Sequence, residues 1–207
     1  LYAGSLSFEL SFGKKIIIVN SGSPHIQNKK WAEAMKSSAA HTTLTVDDIN
    51  SSDIFFEKSK KGRIAKVWSK KYNDGKSHWI ESSHNGYKEI FGLIHNRKIH
   101  VDASNKLIRG QDSLIRTQGY YKKKPRVFQI RFHIHPEVEV SVTSGRKKVI
   151  LRLNDGEGWE FICSDPIIHI KESIYLGLKN TPKSNSHILL KDKVTPDRKI
   201  KWMFRSI

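Results

Sequence analysis

Ten histidines in a chain of 207 residues invite a search for metal or acid–base chemistry, and three groups have usable spacing. The sharpest is Phe132-His133-Ile134-His135-Pro136. On a strand, Phe128, Ile130, Phe132 and Ile134 share one face while Arg131, His133 and His135 share the other, because successive side chains alternate. Two imidazoles at i, i+2 can chelate one ion from a sheet. A third ligand is not visible nearby, and Arg131 on the same face disfavours a cation. Contact with a polyanion or sugar, and a hydrogen-bonded structural role, therefore stand beside the metal reading. The second group is Ser82-Ser83-His84-Asn85-Gly86-Tyr87 with Phe91-Gly92-Leu93-Ile94-His95-Asn96-Arg97. Asn85-Gly86 reads as a tight turn that presents His84 and Tyr87 at a strand end, a common place for functional side chains. The alternative is a tyrosine packed over its own turn. The third is His41 in Ala40-His41-Thr42-Thr43-Leu44, where a lone histidine entering a strand is ordinarily a hydrogen-bonded structural residue.

These residues need strands to hold them, and strand signals recur from end to end. Leu6, Phe8 and Leu10 alternate with polar residues, and Lys15 to Val19 follows the Gly13-Lys14 turn. Further β-branched or aromatic runs are Thr42 to Val46, Ile64 to Tyr72, His78 to Ser82, Phe91 to Val101, Leu107 to Arg116 and Val127 to His135. Val138 to Val142, Lys148 to Leu153, Gly158 to Ile162, Ile167 to Ile170, Ser173 to Leu178, His187 to Leu190 and Lys199 to Phe204 complete the series. Asn154-Asp155-Gly156 is a hairpin turn. One helix is expected over Asn28 to Lys36, capped by Asn28, with Trp31, Ala34 and Met35 at helical spacing. Many short strands with hardly any helix argue for an all-β fold, a large two-sheet antiparallel sandwich occupying residues 1–207 as one domain, since parallel sheets need crossover helices.

Lys and Arg number 37 against 20 Asp and Glu, a formal charge of +17, on a chain with 37% hydrophobic residues. A folded body with that charge attracts polyanions. The charge runs Lys58 to Lys61 and Lys122 to Lys124 read as loop tips. The single Cys163 excludes a disulfide scaffold, and no apolar run is long enough to span a bilayer. Lysines outnumber arginines 27 to 10 and most aromatics fall on the apolar phase of strands, so nucleic acid is a disfavoured partner. The chain opens on Leu1 inside a strand pattern with no signal-peptide pattern before it, and is read as a fragment of something longer.

Three ordered blocks, Ala3-Gly4-Ser5-Leu6-Ser7-Phe8-Glu9-Leu10, Val19-Asn20-Ser21-Gly22 and Ala40-His41-Thr42-Thr43-Leu44, resemble the opening of the C-terminal β-domain of heparinase II/III-like polysaccharide lyases. The His84 and His133 blocks resemble a bacterial subgroup of the same family. The resemblance implies an N-terminal α/α toroid as partner domain, an acidic uronate-containing polysaccharide held between the two, cleavage by β-elimination, and a periplasmic or cell-envelope location. It implies His84 as a catalytic group, with the main base in the toroid, and Tyr87, Arg97, Arg131, His133 and His135 as substrate contacts. The family's structural zinc site maps onto Tyr2, Asn20 and His41. With Asn20 in place of an acidic ligand and Tyr2 in place of a histidine, zinc is a doubtful cofactor. The alternative function is a glycan-binding or scaffold module that has lost lyase chemistry.

Overall fold

The computed structural model describes residues 2–22, 29–54, 62–75, 77–119, 122–164, 167–177 and 181–207. Its strands, in chain order, are β1 (Leu10–Phe12), β2 (Lys15–Val19), β3 (Leu44–Val46), β4 (Val67–Asn73), β5 (His78–His84), β6 (Leu93–Asp102), β7 (Leu107–Arg116), β8 (Val127–Ile134), β9 (Glu139–Val142), β10 (Lys148–Arg152), β11 (Gly158–Cys163), β12 (Ile168–Leu176), β13 (Pro182–Lys193) and β14 (Lys199–Ser206). Helices are confined to α1 (Lys29–Lys36), α2 (Lys88–Phe91) and a 3-10 turn over Ser38–Ala40. The strands form two antiparallel sheets. One has six strands in the order β1-β2-β8-β13-β12, with β3 pairing β8 further along the edge that β2 uses. The other has eight, in the order β4-β5-β6-β7-β14-β11-β10-β9.

The inward side of β8 explains why the sheets face each other. Phe128, Ile130, Phe132 and Ile134 are all essentially inaccessible. Phe132 packs edge-on to Trp202 and Phe204 of β14, with ring centroids at 5.0 and 5.5 Å, and lies 5.1 Å from Phe161 of β11. One core drawn from both sheets therefore closes around a single ring. Antiparallel neighbours fix the register: Ile130 stands opposite Leu190 of β13 and Leu44 of β3. A one-residue slip would turn every one of these apolar groups outward.

The sandwich matches the fold expected from the sequence, and the differences are local. The Leu6 to Leu10 alternation pairs only from Leu10 onward. Leu6 adopts φ 59°, and residues 2–9 run as an irregular strap whose carbonyls are taken by side chains instead of a neighbouring strand. Thr43 Oγ1 donates to Ser5 O at 2.6 Å, and Ser38 and Ser51 hydroxyls donate to Ala3 O at 2.5 and 2.9 Å. The two runs expected around Lys171-Glu172 form one continuous strand, β12. Helix α1 occurs where expected, but α2 makes a second short helix directly after Asn85-Gly86. The capping role of Asn28 and the Lys58 to Lys61 run lie outside the described residues. Lys122, Lys123 and Lys124 are exposed in the β7–β8 connection. No helix among the described residues is long and apolar enough to cross a membrane.

Because Phe132 is the ring on which the two sheets meet, Phe132→Ala is expected to lower the free energy of unfolding by about 3–5 kcal/mol. Urea titration checks this, and a loss below about 1 kcal/mol would mean that the core closes elsewhere.

Candidate functional site

The polar side chains with the most chemical potential lie between the sheets. Arg97 on β6 and Asp112 on β7 are direct cross-strand partners and are 1% and 0% exposed. Both carboxylate oxygens of Asp112 are doubly used. Oδ1 accepts from His95 Nε2 at 2.6 Å and Arg97 Nε at 2.8 Å, and Oδ2 accepts from Arg97 Nη2 at 3.1 Å and Trp202 Nε1 at 2.8 Å. Trp202 reaches it because Gly110 has no side chain. A Cβ there would fall 2.0 Å from the indole. The remaining Arg97 nitrogen, Nη1, donates to Leu6 O at 2.9 Å and Thr42 O at 2.7 Å, which ties the strap to the centre.

His84, at the end of β5, extends this network. Its Nδ1 lies 3.0 Å from the Gly86 N–H, its Nε2 3.1 Å from His95 Nδ1. An amide can only donate, so His84 Nδ1 must accept, His84 Nε2 must carry hydrogen, and His95 must carry hydrogen on the nitrogen facing Asp112. Every ring nitrogen is then satisfied with both histidines neutral. Burial pushes the His84 pKa down to about 2, and the nearby Arg97 and Arg63 cations act in the same direction. Burial likewise lowers that of His95, although Asp112 opposes it. For Asp112 burial alone would raise the pKa, but Arg97 and His95 hold the carboxyl well below the usual carboxylate range. The series Gly86–His84–His95–Asp112 has the atoms of a proton relay and no open end.

The other sequence-expected residues divide by exposure. Tyr87 is fully buried, and its hydroxyl donates to Leu44 O at 3.0 Å, so the packed alternative holds. Burial raises its pKa, which keeps the hydroxyl protonated. His133 is 2% exposed. Its Nε2 donates to Ala39 O at 2.9 Å, its Nδ1 accepts from Ser173 at 3.1 Å, and burial followed by the nearby His187 lowers its pKa to about 3. Arg131 is half-buried, donating to Thr45 Oγ1 at 3.0 Å and to Gln129, with Asp48 at 3.4 Å. His135 is half-buried beside Tyr175 and accepts from the Glu137 N–H at 3.3 Å.

The face assignments for β8 are therefore right, but the surface expected to carry His133 is covered. Likewise His84, Tyr87 and Arg97 were expected at a surface and are interior. The physical reason is the strap and the residue 38–52 region, which close over the strand ends. Asp112 and His95 are further members of the site, and the sequence carries a signal for them. Leu93, His95, Arg97 and Ile99 share the apolar phase of β6, as Ile108, Gly110, Asp112 and Leu114 share that of β7. Opposite charges on the inward phases of adjacent strands mark a buried pair.

The residues at the zinc-equivalent position do not fit the metal. Asn20 Oδ1 accepts from the Thr42 N–H at 2.9 Å, and Asn20 Nδ2 donates to Glu9 at 3.2 Å. His41 Nδ1 is 2.7 Å from Ser37 O and donates to it, while Tyr2 lies edge-on with ring centroids 6.0 Å apart. Among the described residues no group of three or more His, Cys, Asp or Glu could hold a metal ion.

The chain is thus a two-sheet antiparallel sandwich with its chemistry-bearing side chains largely enclosed. The sequence matches the family described as Heparinase II/III-like, C-terminal, over residues 2–203, and the chain belongs to that family. It is 30% identical over 146 residues to FtsZ-localized protein C of Caulobacter vibrioides (strain NA1000 / CB15N), covering 67% of this chain and 25% of that protein. Among solved structures it resembles heparan sulfate lyase HepC from Pedobacter heparinus, with TM-score 0.78 and 12% identity over 99% of this chain and 30% of the other. The heparinase III structure of the BT4657 gene product gives TM-score 0.75 and 13% identity, covering 100% of this chain and 30% of the other. At those identities the structural likeness establishes the fold. The chain spans a quarter of the curated relative and under a third of the solved chains.

Two expectations test the buried centre. Asp112→Asn leaves Arg97 enclosed without its counter-charge and is expected to cost about 3–5 kcal/mol in urea unfolding. Histidines held neutral in the fold but free to protonate when unfolded give an unfolded state that binds more protons below pH about 6.5. Stability is then highest above that pH and falls as pH drops toward the folded values, about 2 for His84, 3 for His133 and 4 for His187. His84→Gln should flatten the stability slope between pH 6 and pH 4.5 by about 1.4 kcal/mol per pH unit, and an unchanged slope would mean that His84 is not held neutral.

Proposed function

We propose that this chain is the β-sandwich part of a larger heparinase II/III-like protein and binds an acidic, uronate-containing polysaccharide without supplying the reacting groups. The observation that carries the reading is the enclosure of His84, Tyr87, Arg97 and His133, each at most 2% exposed, beneath a surface with formal charge +17. β-Elimination beside a uronate carboxylate needs a base within about 2.6–3.2 Å of the C5 proton, or one water away, and an acid at the leaving oxygen. No group in the buried network meets that demand, since each is hydrogen-bonded within it and closed off from a sugar. Lyase chemistry in the whole protein would draw its base and acid from a partner domain, the helical toroid that the family resemblance implies. The location that goes with this reading is the periplasm or cell envelope.

A second reading has its own support. Identity to FtsZ-localized protein C is 30%, against 12–13% to the lyase structures, and that protein's name records a location and not a reaction. This favours a scaffold whose whole-length protein has no lyase activity.

The assay is incubation of residues 1–207 and of the full-length protein with heparan sulfate, chondroitin, hyaluronan and alginate, followed by ultraviolet absorbance of the unsaturated uronate. The isolated chain is expected to be silent, and turnover by it would overturn the proposal. Full-length turnover would favour the lyase, whereas full-length silence with retained glycan binding would favour the scaffold.

A further inference from the structure

The outward face of the eight-stranded sheet is open, and one line across it is unusual in composition. Tyr72, Trp79, His100, Arg109 and Met203 are successive cross-strand partners on β4, β5, β6, β7 and β14. At about 4.8 Å per strand this row is about 19 Å long, enough for several linked sugar units. Tyr72 is 53% exposed and Trp79 45% exposed, with the Trp79 ring centroid 4.1 Å from that of His100. Strand β4 is exposed along its whole length, so no described residue covers these rings. Beside the row runs a second one, Lys70, Glu81, Lys98, Gln111 and Lys201, on the same strands. Between the two rows lies a groove of about 390 Å³ over the backbone of Gly110 and Trp202.

The charges and polar groups of this groove select its ligand. Lys98, Arg109 and Lys201 line it, and the one acid of the adjoining row, Glu81, is paired with Lys98 at 2.8 Å. Arg109 and Lys201 have no carboxylate partner among the described residues, so their charge is available to an anion. One polar atom of its lining, His100 Nδ1, is buried and has no hydrogen-bond partner among the described residues. An imidazole nitrogen that carries no hydrogen is an acceptor and requires a donor. A phosphodiester backbone has none to give, whereas sugar hydroxyls both donate and accept. Aromatic faces flanked by cations suit a pyranose ring that carries a carboxylate or sulfate.

We infer that this face is a binding strip for an acidic oligosaccharide, with Trp79 and Tyr72 as the stacking platform and Arg109, Lys98 and Lys201 as the anion contacts. The ligand class rests on the glycan reading above, and the position does not. It places the sugar on the face of the sandwich opposite to Arg131, His133 and His135.

The test is calorimetric titration of the full-length protein with a heparin-derived octasaccharide, and with a neutral cello-oligosaccharide of equal length, at physiological ionic strength. Trp79→Ala with Arg109→Ala, both exposed positions, is expected to weaken octasaccharide binding about tenfold or more. Lys171→Ala with Lys191→Ala, which removes exposed charge from the six-stranded sheet, is expected to change it less than about twofold. Trp79→Phe keeps a stacking ring and should remain within about threefold of the parent. Equal losses in the two double variants, or none in Trp79→Ala with Arg109→Ala, would overturn the strip while leaving glycan binding in place. Tight binding of the neutral oligosaccharide would overturn the acidic assignment. A parent protein that binds no octasaccharide would remove both the strip and the glycan reading.

Discussion

The carboxylate of Asp112 is the point on which the interior depends. An ionised group between two sheets is costly unless its charge and every lone pair are answered, and here four donors from three residues on two strands answer them. Each donor has a further structural duty. Arg97 extends to the carbonyls of Leu6 and Thr42, so it fixes the strap and the entry to β3. Trp202 packs with Phe8 in a near-parallel stack at 5.4 Å and with Phe132. His95 passes the constraint to His84 and so to the Gly86 turn. Residues far apart in the sequence are thereby held in one arrangement, and the two histidines are fixed in one tautomer and in the neutral state.

That arrangement decides the chemistry as well. A histidine is a useful acid or base when it can exchange a proton near neutral pH with something it touches. His84 does neither, because charging it would set two N–H groups against each other and leave the Gly86 amide without an acceptor. Gly86 itself sits so close to Ser51 O that a Cβ would lie 2.3 Å away, which closes the end of the chain of imidazoles. The groups that look most catalytic by type are the ones most fully committed to holding the fold. The outer surface, by contrast, keeps much of its positive charge uncommitted. Several acids are spent inward or on the backbone, as Asp112 is on Arg97 and Asp47 on the amides of Arg126 and Val127.

Much of this was legible in the sequence. Alternation gave the strands, and on β8 it assigned Phe128 to Ile134 and Arg131 to His135 to the correct sides. Alternation reports which side a residue takes, however, and not whether that side is covered. His133 was misplaced as a surface group because the cover is irregular chain without periodicity: the strap, the 3-10 turn and the segment leading to β3. The Arg97–Asp112 pair was legible in principle, from charge on two apolar phases, but required knowing that β6 and β7 are neighbours in that register. Asn85-Gly86 does open a turn, but Tyr87 after it points inward, its hydroxyl on the carbonyls of Leu44 and Ile49, instead of being displayed.

The same distinction explains how a fold persists at 12–13% identity. A sandwich requires apolar groups at every second position and tolerates exchange among them, whereas a metal or catalytic site requires particular atoms. Asn20 illustrates the exchange. Where the family resemblance places an acidic zinc ligand, its amide accepts from the Thr42 N–H and donates to Glu9 in the strap, while His41 ties itself to the Ser37 carbonyl. The strap, the end of β2 and the segment before β3 are joined here by these hydrogen bonds and by Arg97. His41 takes its part in that cross-link through the Ser37 carbonyl, a role in the fold that its ring can fill by hydrogen bonding alone.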